Sequence, residues 1–320
     1  MNLAEARRLG AAYGLDVSSV QALSAGSVNS NFSMETSAGA RLFLRVYEEQ
    51  DLAGAQRELA TIAALARLGV PTPAPLERLA GGRADEHAGK PVGVHPWVEG
   101  ESLCLGRVSP RVAWQLGSAL ARVHVCSPEL GERSEGRFQV RDLLARLDQV
   151  DRADARFATD TAFIRQRFER YTRELAARSR LPEGLIHGDL FRDNVLWRAG
   201  ELVALLDFES ASNGLFAYDL MVCVHAWCYG ESYDLALVAA LFDGYAEVRA
   251  PQREEWRALT LLGSLAALRF ATTRITDFSL RAAPGQPPVR DYKRFLSRLA
   301  ALEAGVLDPI IKPRIEKGSP

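Results

Sequence analysis

The sequence lacks an excess of either charge: 39 basic side chains stand against 40 acidic ones, a net of −1 over 320 residues. With no basic field to collect nucleic acid or an anionic membrane, neither is expected as a partner, and a small molecule is. Cysteine is scarce too. Cys104, Cys126, Cys223 and Cys228 form no CxxC pair, and no histidine is placed with them for zinc, so buried, reduced thiols in the cytoplasm are expected. No run reaches about 18 uncharged apolar residues, the length that a membrane span needs. The longest candidates, 215–229 and 257–271, are interrupted by Asp219, His225 or Arg269, and the first residues carry charges rather than an apolar leader core. Internal repeats and low complexity are absent apart from a Pro and Gly patch at 284–288. What remains is a chain that is 48% hydrophobic, enough for a substantial core in one large or two modest domains.

One stretch carries the chemistry: residues 185–208, LIHGDLFRDNVLWRAGELVALLDF. Its apolar runs alternate with polar loops in a pattern of strand, loop, strand, turn, strand, with acids and an amide at the strand ends. Asp189 precedes Asn194 by five residues, and Asp207 follows Asn194 by thirteen. Asp and Asn are common in any solvated turn. This order and spacing, however, is that of a phosphoryl-transfer site, where one Asp takes the substrate hydroxyl proton while an Asn and a second Asp hold Mg²⁺ on the nucleotide phosphates.

HGDLFRDN followed by LLDFESASNGLFAYDL resembles the aminoglycoside phosphotransferase and choline kinase superfamily, and the resemblance runs through nearly the whole chain. Within that superfamily HxDLFxDNV, YDLMVCVHAWC and ALRFATTRITDF are similar to the type II homoserine kinases. The resemblance implies a protein-kinase-like α+β fold of two lobes, with ATP in the cleft. The first lobe, residues 1–98, is a small antiparallel sheet with one helix, and the second, 99–320, is mostly helical. It implies L-homoserine as acceptor. One segment departs from that group, since 207–214 reads DFESASNG. An aminoglycoside, choline or ethanolamine, or a sugar therefore stands as the alternative acceptor, and a non-catalytic nucleotide-binding module as the alternative class. The oligomeric state is not readable.

Upstream, residues 23–36 place Gly26, Asn29 and Asn31 between strand-compatible ends, where backbone N–H groups can approach phosphate oxygens. The spacing is not the GxGxxG of protein kinases, and any hairpin tip favours the same residues; the resemblance implies a nucleotide loop. RLFLRVY, residues 41–47, alternates cleanly and puts Arg45 where protein kinases have a lysine that grips the phosphates. Glu58, thirteen residues on in an amphipathic helix over 52–68, is its candidate partner; the alternative is an exposed Arg and a solvated Glu.

Downstream the pattern is helical: from 109 to His124, over 141–149 and 157–177, and from Tyr218 on. His124 is expected to close its helix and bind nothing, and Asp219 to brace the catalytic loop. Glu209 stands where protein kinases have the Gly of Asp-Phe-Gly, which argues against a flipping activation switch. In the late helix Arg269 and Arg274 are five residues apart and diverge by about 140°. One of them meets a substrate carboxylate, or pairs with an acid inside the lobe; the sequence leaves both open.

Overall fold

The computed structural model describes residues 1–23, 29–130, 135–281 and 290–317. Chain contacts divide it into two compact units, Met1–Ser102 with Asp193–Glu209, and Leu103–Arg192 with Ser210–Pro320.

The first unit opens on α1 (Leu3–Ala12), started by a reciprocal cap: the Asn2 side chain accepts from the Glu5 amide, and Glu5 accepts from the Asn2 amide. There follow β1 (Val17–Leu23), β2 (Ser30–Thr36), β3 (Arg41–Val46), α2 (Leu52–Arg67), β4 (Asp85–His87) and β5 (Lys90–Pro96). The strands pair antiparallel in the order β1-β2-β3-β5-β4. Alternation assigns the faces. Met34, Leu42, Leu44, Val46, Val92 and Val94 are buried in one cluster with Leu9 and Tyr13 from the α1 side. The opposite face carries Asn31 across from Arg45, Phe43 across from His95, and Arg45 across from Gly93. Gly93 has a packing reason: a Cβ there would meet Leu59 Cδ2 of α2 at 2.8 Å. Its absence lets α2 approach the sheet beside Arg45, which brings Glu58 to that face.

The second unit holds α3 (Pro110–Cys126), α4 (Val140–Ala153), α5 (Ala158–Ala176) and β6 (Glu183–Ile186). The chain then forms the hairpin β7 (Val195–Arg198) and β8 (Glu201–Leu205), which belongs to the first unit, and returns as β9 (Ser212–Leu215). The remaining helices are α6 (Phe216–Trp227), α7 (Leu235–Val248), α8 (Arg253–Arg274), α9 (Lys293–Glu303) and α10 (Asp308–Lys317). Ser109 caps α3 through the Val112 amide with Pro110 at the first helical position. Helix α8 runs on into a π-helical turn, Ile275–Ser279. Among the described residues no helix is long and apolar enough to cross a membrane.

The fold is therefore the expected α+β arrangement, an antiparallel-sheet unit and a mostly helical one. Residues 185–208 form the expected strand, loop, strand, turn, strand, but the three strands do not share a sheet. β6 pairs with β9, while β7 and β8 pair with each other. Ser212–Leu215, SNGL, has none of the apolar alternation that marks a strand. It pairs because Gly214 leaves room for Ile186, whose Cδ1 would lie 2.4 Å from a Cβ at that glycine. The thiols also differ from expectation, since Cys104 is exposed; all four are free.

Candidate active site

In the first unit, β3 delivers Arg45 and α2 delivers Glu58 to one buried spot. Arg45 Nη1 lies 3.1 Å from Asp207 Oδ1 and 4.0 Å from Glu58 Oε1. Burial opposes the Arg45 charge, but Asp207, Tyr47 and Glu58 outweigh it and hold its pKa above the ordinary value. Glu58 goes the other way. Burial lifts its carboxyl to about 7, against the lowering effect of Arg45 and of the 2.7 Å hydrogen bond donated by Gln50. The sequence thus brought the right pair together, and the structure adds that the shorter contact of Arg45 is with Asp207.

Asp207 sits at φ 62°, the left-handed region that Asp tolerates better than most residues. The β7–β8 hairpin fixes its neighbours: the Leu206 amide donates to the Asn194 carbonyl at 2.9 Å, and Val195 pairs with Leu205. Asn194 and Asp207 are therefore tied through one backbone hydrogen bond and the hairpin's register. Both bear hard oxygen donors of the kind Mg²⁺ takes. Asn29 spans a different gap, donating to Glu209 Oε2 at 2.8 Å and accepting from the Glu48 amide at 3.1 Å. Asn31 is buried opposite Arg45. Gly26 lies outside the described residues.

Beside these groups is a cavity of about 330 Å³ lined by Leu23, Phe43, Arg45, His95, Trp97 and Asp207 among others. Both Arg45 and Trp97 line it, and among the described residues the buried Arg45 Nε and Trp97 Nε1 have no hydrogen-bond partner. The cavity suits a nucleotide, with apolar walls for a base and a guanidinium for phosphate. Burial lowers the pKa of His95 to about 4; it lines the wall as a neutral ring.

In the second unit, β6 feeds the loop that carries Asp189. Asp219 of α6, fully buried, accepts from the amides of His187 at 2.7 Å and Gly188 at 2.8 Å. It also pairs with His124 Nε2 at 3.1 Å, and His124 Nδ1 meets the Tyr245 hydroxyl at 2.7 Å. Burial works against the Asp219 charge, yet the His124 bond and the backbone amides leave its pKa below the ordinary value. The bracing role of Asp219 was legible in the sequence. That of His124 was not: it does more than end its helix, and its partner lies 95 residues away. No local signal marks it.

Arg269, 4% exposed, donates to the Gly188 carbonyl and lies 3.8 Å from Asp189 Oδ1, with its guanidinium stacked 4.1 Å from the Phe138 ring centre. It pairs inside the unit, which resolves one of the two alternatives for this arginine. A cavity of roughly 400 Å³ adjoins it, lined by Phe138, Gln139, Gly188, Ser210 and Tyr218 among others. Arg274 sits elsewhere, over the Phe295 ring, and donates a hydrogen bond to the Asp291 carbonyl.

A family model described as phosphotransferase enzyme family matches residues 19–251. A homoserine kinase of Chelativorans sp. (strain BNC1) is 36% identical over 292 residues, which cover 88% of this chain and 87% of that one. The homoserine kinase of Parvibaculum lavamentivorans is 32% identical over 303 residues, with 91% and 90% covered. Among solved structures, amicoumacin kinase in complex with AMP-PNP and Ca²⁺ superposes with a TM-score of 0.70 at 16% identity, covering 95% of this chain and 93% of that one. With its family matched over most of its length, the chain belongs to the phosphotransferase enzyme family and is an ATP-dependent kinase of small molecules.

Proposed function

We propose that the protein is a homoserine kinase, transferring the γ-phosphoryl group of ATP to the side-chain hydroxyl of L-homoserine in the cytoplasm. The acceptor rests on curated relatives named homoserine kinase at 30–36% identity across most of both chains. The phosphoryl-transfer chemistry rests on one observation above others: Arg45 and Asp207 in contact at the wall of a cavity that also presents unpartnered donors.

The roles follow from charge and position. Asp189 orients the acceptor hydroxyl and takes its proton, the part that a carboxylate at this place in the loop performs. Arg269 and the Asp219 brace hold that loop in one arrangement. Arg45, with Glu58 behind it, binds phosphate oxygens, and Asn29, Asn31 and Gly26 belong to the segment that covers them. Asn194 and Asp207 are the residues that would hold Mg²⁺, which when bound neutralises charge on the phosphate oxygens. Nucleotide binding falls to residues 1–98 together with the Asp193–Glu209 hairpin, and acceptor binding to the rest. Catalysis of this kind depends on alignment and fixed charge more than on any covalent intermediate.

ADP release from Mg-ATP against L-homoserine, L-serine, L-threonine, choline, ethanolamine and kanamycin tests the proposal. Homoserine is expected to stimulate release above every other compound. Stimulation by choline or kanamycin with none by homoserine would retire the acceptor and keep the phosphotransferase.

A further inference from the structure

The second unit contains two buried arginines that the roles above do not use. Arg274 ends α8 and Arg298 lies in α9, and both guanidinium groups stack on the same ring, Phe295, at 4.4 and 4.6 Å from its centre. Arg298 is 6% exposed and Arg274 is half-buried. Their hydrogen bonds go to backbone carbonyls alone: Arg274 to Asp291, Arg298 to His225 and Arg294. Among the described residues neither has a carboxylate within ion-pair distance. Buried charges are paired as a rule, because an uncompensated one loses hydration with nothing in return.

The surroundings deepen the deficit. Burial, then Arg298, Arg290 and Arg294, push the Arg274 guanidinium down to about 10, with Asp189 the opposing charge. Burial brings Arg298 down to about 10 as well, against Tyr233 and Tyr229, with Arg294 and Arg192 adding to the fall. Both groups remain cations at neutral pH. The site also borders the catalytic loop. Phe191, two residues after Asp189, packs edge-on against Phe270 at 4.9 Å and Phe295 at 6.5 Å, and Phe295 is the ring the two arginines share.

We propose that Arg274 and Arg298 form the acceptor's anion subsite, binding the carboxylate of an α-amino acid whose hydroxyl is presented to Asp189. The proposal rests on the homoserine reading and sharpens it, because it says what selects the substrate. A guanidinium matches a carboxylate with two parallel donors, and stacking on Phe295 fixes the plane of each fork. A cationic acceptor such as choline is repelled by the same pair. The two arginines of α8 thus serve different ends: Arg269 holds the loop, and Arg274 reads the substrate.

The test compares L-homoserine with homoserinol, which keeps the amine and the side-chain hydroxyl but carries a hydroxymethyl group in place of the carboxylate. The enzyme should favour homoserine in kcat/KM by roughly 10- to 100-fold, the value of a charge-assisted hydrogen-bond pair. Arg274→Gln should raise the homoserine KM by a similar factor and collapse that preference towards unity, Arg274→Lys should restore part of it, and the Kd for AMP-PNP should stay within about two-fold. Calorimetric titration of both compounds into the AMP-PNP complex reads binding without turnover. Equal use of the two compounds, or an unchanged preference in folded Arg274→Gln, overturns the subsite while leaving the homoserine reading intact. Activity on L-serine in place of homoserine supports the subsite and retires homoserine; activity confined to choline or kanamycin, or no binding of any carboxylate-bearing alcohol, overturns the subsite as well.

Discussion

Arg45 of the first unit and the Arg274–Arg298 pair of the second are met in opposite ways. In the first, Arg45 has Asp207 at 3.1 Å and Glu58 at 4.0 Å, so its charge is met by the chain itself. In the second, among the described residues, Arg274 and Arg298 meet backbone carbonyls and the faces of Phe295 and Tyr229. The difference teaches where each unit's ligand enters. A compensated arginine stays in place whether or not phosphate is bound, as suits a nucleotide pocket that must also receive a metal. An uncompensated one waits for an anion, as suits a substrate that carries one.

The largest expected effect comes from removing Asp189, the general base of the proposed mechanism. Asp189→Asn should lower kcat by roughly 10²- to 10⁴-fold, the range of a lost general base. Nucleotide binding, measured by titration with AMP-PNP, should remain within two-fold, because that pocket belongs to the other unit. Full activity in this variant would remove Asp189 from the mechanism.

Asp219→Ala tests the buried acid of the second unit. It leaves the His187 and Gly188 amides without an acceptor and strips His124 of its partner, which should cost about 3 kcal/mol of stability in urea unfolding. A loss below about 1 kcal/mol would show that the brace is dispensable.

Arg45→Ala should act in the first unit alone. The KM for ATP is expected to rise roughly 10-fold or more, as a charged phosphate contact is lost and Glu58 and Asp207 are left facing each other. The KM for homoserine should hardly move. Equal changes in both would erase the distinction between the units.

The gentlest probe is pH. Burial lifts Glu58 from 4.5 to about 7, so the folded state binds its proton more tightly than the unfolded chain does. The stabilisation this gives is complete below about 4.5 and is lost as pH rises through 7. Glu58→Gln should therefore remove a slope in stability across that window, on the order of 1–3 kcal/mol from end to end, with the variant gaining on the wild type as pH rises. Parallel stability curves for the two proteins would place the Glu58 titration outside this window.

The catalytic stretch was legible because its chemistry is contiguous. Asp189, Asn194 and Asp207 lie within nineteen residues of chain, and strand punctuation puts each at an element end. Arg45 was legible from alternation, which sends Leu42, Leu44 and Val46 to one face and Arg45 to the other. Less visible was what each element packs against. The β6 partner, SNGL, has no strand signature, and its pairing depends on Gly214 admitting Ile186. His124 looked like a helix end because its partners, Asp219 and Tyr245, are 95 and 121 residues away.

By itself the sequence determined the fold class and the kinase family. Those depend on local period and spacing, which a linear chain records. The tertiary structure alone gave Arg269 and Arg274 their different surroundings. Helical phase separates their directions but not their neighbours: only folding puts the Gly188 carbonyl and Asp189 before Arg269, and Phe295 with a second cation before Arg274. Which charge meets a carboxylate and which meets carbonyls and rings is a property of what converges in space.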